Sequence, residues 1–172
     1  LVLLDEPLSN LDAALKDNLR WEIRSALKAA GVPAIWVTHD QEEALSVGDR
    51  LGVLRNGVLE QLASPEICFS EPASRFVARF LGEASFLPGQ FESGSVITSL
   101  GPVPATAIGD ASGDVDLLLR PDDLSVTPME EGGNGQIAWV RYEGGSSLYA
   151  VDLDDGASVQ VRGSHENQFG QG

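Results

Sequence analysis

The 172-residue sequence holds a single cysteine, two histidines and no lysine between residues 83 and 172. One cysteine rules out an intramolecular disulfide and a cysteine-based metal knuckle, which suits a reducing compartment. On a predicted helix, Cys68 reads as a packing residue. No apolar run approaches the roughly 18–20 residues of a membrane-spanning helix, and the apolar start at Leu1–Leu4 is too short for a signal peptide. A cytoplasmic chain is therefore expected. Basic residues are scarce, 11 against 26 acidic ones for a formal charge of −15. That balance argues against a nucleic-acid partner, because phosphate binding needs a basic surface.

The scarcity is uneven. Residues 1–82 carry 8 basic and 12 acidic residues, whereas residues 83–172 carry 3 and 14. Two units of different character are expected, divided at Gly82.

In the first, Leu1–Leu4 is a continuous apolar run, the pattern of a parallel strand buried on both faces. Leu11, Leu15, Leu19, Ile23, Leu27 and Ala30 then draw one helical stripe. Gly31 is placed to stop that helix, and Val32-Pro33 forces an extended exit. Ala34–Thr38 reads as a second buried strand, so strand, helix and strand form one right-handed crossover of an α/β sheet. Asp40 and Glu43 have capping-box-like spacing for a helix through Val47. Asn56-Gly57 predicts a two-residue hairpin within RLGVLRNGVLEQLA. Ser64-Pro65-Glu66 marks a helix start, and a further helix is expected from Ala73 to Leu81.

Beyond Gly82 the runs GSVITSL, VDLLLR, LSVTP, GQIAWVRY, SLYAVDL and SVQVR are short, alternating and separated by glycine-rich or acidic turns. They predict a small β-barrel or sandwich. Asp152, Asp154 and Asp155 beside Gly156 do not match the spacing of a calcium loop and read as a solvated hairpin turn. His165 has no partner cysteine or histidine nearby and reads as a surface-loop residue.

Open α/β sheets bind ligands at the carboxyl ends of their strands, where this sequence sets Asp5, Glu6 and His39. Two adjacent carboxylates after a buried strand suit a magnesium nucleotide site, one to hold a hydrated metal and one to polarise water. Successive strand side chains point to opposite faces, so the two take different roles. Taken alone, Asp5-Glu6-Pro7 has a less favoured reading as a strand end and turn, and His39 could be a helix-flanking or strand-end residue.

LVLLDEPLSNLD resembles the Walker B strand and D-loop of ATP-binding cassette (ABC) transporter ATPases, and VTHDQEEAL resembles their H-loop, at the expected distance. RNGVLEQLASPEICFSEPASRFVARFLGE is similar to the end of the nucleotide-binding domain in the importer subgroup that serves sugars, polyamines and ferric iron. LLRPDDLSV and its surroundings resemble the accessory TOBE domain of that subgroup. The resemblance implies a partial P-loop ATPase parallel sheet of α/β class in residues 1–82, followed by an all-β, OB-like TOBE-type barrel in residues 83–172, truncated at its end. It further implies that Asp5 supports Mg²⁺ through water, that Glu6 is the general base or water-positioning group, and that His39 contacts the γ-phosphate of ATP and the attacking water. Ser9, Asn10, Leu11 and Asp12 would form the D-loop coupling two subunits.

The implied partners are a second copy in a homodimer of ATPase subunits, transmembrane permease subunits and, indirectly, a periplasmic or extracellular substrate-binding protein. The implied place is the inner face of the cell membrane, held peripherally. FLGEASFLPG is more similar to ferric-iron importers than to sugar importers. No GxxxxGKS or GxxxxGKT occurs in these residues, nor the family's LSGGQ-like signature or glutamine loop. The expectation is a carboxy-terminal fragment starting at Walker B, inactive by itself, with strand edges exposed by the missing neighbours. For residues 83–172 a regulatory or dimer-stabilising role is expected over anion binding, unless Arg120, Arg141 or Arg162 converge. The alternative is a non-catalytic regulatory and oligomerisation module with inert ATPase remnants.

Overall fold

A computed structural model describes residues 1–129, 132–164 and 169. The chain divides into two compact units, Leu1–Gly82 and Glu83–Gly172. His165 lies outside the described residues.

The first unit opens with β1 (Val2–Asp5), α1 (Ala13–Ala30) and β2 (Ala34–Val37). β1 and β2 pair in parallel, with Leu3 opposite Ile35 and Asp5 opposite Val37. Gly31 ends α1 in the left-handed region at φ 62°, which its lack of a Cβ permits. Val2, Leu4 and Trp36 are half-buried on one face of the pair. The other face is open: Leu3 is 70% and Ile35 52% exposed. Burial on both faces, expected from the apolar runs, is therefore not found, because none of the described residues covers that second face.

α2 (Gln41–Ser46) comes next, then the hairpin β3 (Leu51–Arg55) and β4 (Val58–Ala63), then α3 (Pro65–Ser70) and α4 (Arg75–Phe80). Asn56 and Gly57 both take positive φ, 50° and 79°, as the tight turn requires. Ser64 and Ser74 cap α3 and α4 through their side chains. Val53, Cys68, Val77 and Leu81 form the buried core here, with Leu45, Leu51, Phe76 and Phe80 packed against it.

The second unit is antiparallel throughout: β5 (Ser85–Glu92), β6 (Ser95–Thr98), β7 (Gly101–Pro104), β8 (Gly113–Leu119), β9 (Gly135–Tyr142), β10 (Ser146–Leu153) and β11 (Ser158–Ser164). Four strands lie in the order β7-β6-β5-β8 and three in the order β11-β10-β9. Leu87, Val96, Leu117 and Leu119 from the first sheet share one core with Leu153, Val159 and Val161 from the second.

Two details depart from the sequence pattern. LSVTP, after the 3-10 turn Pro121–Asp123, forms no strand. β5, by contrast, is a full strand despite Pro88-Gly89. At Pro88 it has a neighbour on one side only, since β6 pairs with Gln90 to Glu92, so the missing N–H costs no ladder bond there. The acidic stretch near residue 155 is the β10–β11 turn, where the Asp155 carboxylate accepts from the Ala157 amide at 2.9 Å.

No helix among the described residues is long and apolar enough to cross a membrane.

Candidate functional site

The carboxyl ends of β1 and β2 lie side by side, and the residues just beyond each strand form the site. After Asp5 the chain turns at Glu6, whose φ of 45° is left-handed, a conformation a residue with a Cβ adopts rarely. Backbone bonds hold it there: the Glu6 amide donates to Val37 O at 2.8 Å and the Ser9 amide to Glu6 O at 3.2 Å. Bent in this way, Glu6 meets the imidazole beyond β2, with His39 Nδ1 3.0 Å from Glu6 Oε1. An ionised carboxylate only accepts, so in this pair Nδ1 carries the proton and Nε2 is left for another partner. The His39 side chain is 73% exposed, so the pair faces solvent.

Asp5 is exposed on the same face as Leu3. Ser9 and Asn10 are exposed in the turn after the buried Leu8. Asp12 is the N-cap of α1: its Oδ1 accepts from the Leu15 amide at 2.9 Å. The structure thus brings Glu6 and His39 together, sets Asp5 beside them in sequence on the open face, and commits Asp12 to the helix.

The loop carrying His39 is braced by Asp40, the expected cap, together with Thr38 and Lys16, which the sequence pattern did not single out. The Asp40 amide donates to Thr38 Oγ1 at 3.0 Å, and the Asp40 carboxylate caps α2 through the amides of Glu42 and Glu43. Lys16 on α1 reaches the same carboxylate at 3.2 Å. Burial works against the Asp40 charge, but the amide bonds and Lys16 outweigh it and hold the carboxyl below its ordinary range. The expected capping box is half made. Glu43 does not reach back to the Asp40 amide; it is buried, and its Oε2 accepts from Trp36 Nε1 at 2.9 Å.

Lys16, Arg20, Arg24 and Lys28 recur every four residues along α1 and meet Asp40, Glu42 and Asp49 in turn. The Arg24 guanidinium also donates to Val47 O. Each exposed pair contributes little, but the row ties α1 to the segment from Asp40 to Asp49. The four-residue basic repeat was the available signal.

A magnesium ion takes hard oxygen ligands, keeps several waters and is commonly held by one or two carboxylates together with substrate phosphates. Among the described residues no group of three His, Cys, Asp or Glu could form a protein cage for a metal. The exposed Asp5 carboxylate fits the looser, water-mediated mode.

In the second unit Arg141 and Arg162 do converge, but on acids. Arg162 pairs with Asp122 at 2.7 Å and with Glu83 and Glu143 at 3.2 Å each. Arg141 pairs with Glu143 at 2.7 Å and with Glu83. The bond from Arg141 holds the Glu143 carboxyl below its ordinary value. Two guanidinium charges facing three carboxylates make a closed ion network rather than an anion trap.

Comparison with known proteins gives a TOBE domain over residues 117–172. A sulfate/thiosulfate import ATP-binding protein CysA 2 of Chromobacterium violaceum is 45% identical over 130 residues, covering 74% of this chain and 35% of that protein. A spermidine/putrescine import ATP-binding protein PotA of Acetivibrio thermocellus is 37% identical over 147 residues, 84% of this chain and 42% of the relative. An Fe(3+) ions import ATP-binding protein FbpC of Brucella melitensis is 37% identical over 161 residues, 90% and 46% respectively. The chain spans about a third to a half of the length of these relatives.

Proposed function

The chain is related over most of its length to the ATP-binding subunits of ABC importers, and from that premise we propose that its first unit carries the hydrolytic edge of an ATPase site. The observation that supports this most is the 3.0 Å contact between Glu6 and His39 across the ends of two parallel strands. Glu6 would orient the attacking water and take its proton. His39, its Nδ1 engaged by Glu6, would offer Nε2 to the terminal phosphate. Asp5 would hold Mg²⁺ through water, and the ion when bound would neutralise phosphate charge. Ser9 and Asn10, exposed in the turn, would meet a second subunit, while Asp12 would act by starting α1.

In this reading residues 1–82 are the carboxy-terminal part of a nucleotide-binding domain and residues 83–172 a TOBE-type unit. The whole subunit would work as a homodimer beneath permease subunits, peripheral on the inner face of the membrane, fed indirectly by a substrate-binding protein. The closed arginine network favours a regulatory or dimer-stabilising role for the second unit over anion capture. The names of the relatives carry different cargoes; the resemblance of FLGEASFLPG favours ferric iron, which uptake of labelled iron by cells lacking the complete gene would test. These 172 residues contain no GxxxxGKS or GxxxxGKT loop, so alone they would neither grip the phosphates nor hydrolyse ATP. Titration calorimetry that found micromolar MgATP binding to them would contradict this. The second reading, a non-catalytic regulatory and oligomerisation module, predicts instead that the complete gene encodes no such loop in frame. The catalytic reading is tested by Glu6→Gln in the complete subunit, which should retain ATP binding and lose turnover.

A further inference from the structure

His39 is largely exposed, and Glu6 is the partner that the described structure gives its ring. Its position therefore depends on where the backbone of its loop is held. That loop leaves β2 after Val37 and enters α2 at Gln41. Just before it stands Trp36, the third residue of β2; just after it stands Glu43, in the first turn of α2.

Glu43 is 2% exposed. A carboxylate withdrawn from water is costly unless its oxygens find donors, and here the indole Nε1 of Trp36 supplies one at 2.9 Å. The bond joins residues seven apart and closes the chain across Val37 to Glu42, the segment that contains His39. On the far side the same segment is fixed by Asp40, which caps α2 and binds Lys16 of α1. Asp40 ties the loop outward to α1; Glu43 ties it inward to the strand from which it came.

We infer that Glu43, held by Trp36, is a positioning residue that sets the His39 imidazole against Glu6. The inference rests on the reading of Glu6 and His39 as the hydrolytic pair, and assigns to a buried acid next to them a task that neither the motif spacing nor the helix cap explains. A helix surface would not need a buried carboxylate at this place, and a capping box would point it at the Asp40 amide instead of at the indole.

The test reads the geometry without nucleotide, on the 172-residue chain labelled with ¹⁵N. At pH about 8.5, where imidazoles are neutral, the two ring nitrogens of His39 report which one carries the proton. The wild type should show Nδ1 protonated and Nε2 bare, and Glu6→Ala identifies the signature by removing the acceptor. Glu43→Gln keeps a side-chain oxygen for the indole N–H and should retain the wild-type pattern. Trp36→Phe combined with Glu43→Leu removes donor and acceptor together, which leaves no orphaned polar group; it should lose the pattern and give two exchange-averaged nitrogens.

A folded double variant that keeps the wild-type pattern overturns the inference. So does a double variant that fails to fold, since the pair would then hold the fold and not the loop. Because no ATP is present, these outcomes are separate from the fate of the ATPase reading, which turnover by Glu6→Gln in the complete subunit decides.

Discussion

His39 Nδ1 stands 3.0 Å from Glu6 Oε1, although 33 residues separate them in sequence. The parallel pairing of β1 and β2 creates this proximity, with Asp5 in register with Val37. The left-handed turn at Glu6 completes it. The arrangement is a consequence of a crossover unit whose two strands end level, so chemistry that needs both groups needs the whole β1–α1–β2 element.

Removing the cap of α1 should weaken that element. Asp12→Ala leaves the Leu15 amide without its acceptor and should destabilise by about 0.5–2 kcal/mol. Urea unfolding of the chain followed by circular dichroism reads this as a lowered midpoint, which Asp12→Asn should largely restore. An unchanged midpoint for Asp12→Ala would show that the first turn of α1 does not depend on its cap.

Stability should fall in acid through Asp40. Despite the opposing effect of burial, its amide bonds and Lys16 hold the folded-state carboxyl below the ordinary value, which is about 4 for aspartate. A depressed carboxyl stabilises the folded chain above the unfolded value and loses that contribution as pH falls through the folded one. Unfolding midpoints should therefore decline below pH about 4, and less steeply in Asp40→Asn, which keeps a capping oxygen but no charge. Parallel pH curves for the two proteins would remove Asp40 from this role.

The thiol of Cys68 should be silent in the native chain. It is fully buried, and burial pushes its pKa up, so little thiolate forms. A disulfide reagent should label it only as urea unfolds the first unit, with labelling tracking the circular dichroism transition. Rapid labelling without urea would mean that this core opens readily.

The second unit should not be stabilised by oxyanions. Arg141 and Arg162 are already engaged by Glu83, Glu143 and Asp122. Added sulfate or molybdate at millimolar concentration should leave the thermal midpoint unmoved beyond the effect of ionic strength. A saturable rise would reveal a binding site.

Much of the local structure could be read from the residues because local rules governed it. Asn56-Gly57 turns the β3–β4 hairpin, Gly31 ends α1, and Ser64-Pro65 starts α3. What escaped was set by tertiary context. The alternating runs did not include β5, which tolerates Pro88 where β6 does not reach. Asp40 and Glu43 had the spacing of a reciprocal cap, but Trp36, on a neighbouring strand, offered the buried acid a donor that no helix rule foresees. The apolar runs of β1 and β2 implied two covered faces, and periodicity alone could not say that nothing among the described residues covers one of them. At the site, adjacency of the strand ends was legible, whereas the hydrogen bond between Glu6 and His39 depended on the positive φ at Glu6, a conformation its side chain does not favour.

Glu6 is the group on which the proposed hydrolysis turns, as the one that activates water. The most direct measurement is ATP turnover and ATP binding by Glu6→Gln in the complete subunit that this reading proposes. A general base typically contributes about 10²–10⁴-fold, so turnover should fall by roughly a hundredfold or more while affinity for ATP changes little. Near-normal turnover with intact binding would contradict that role.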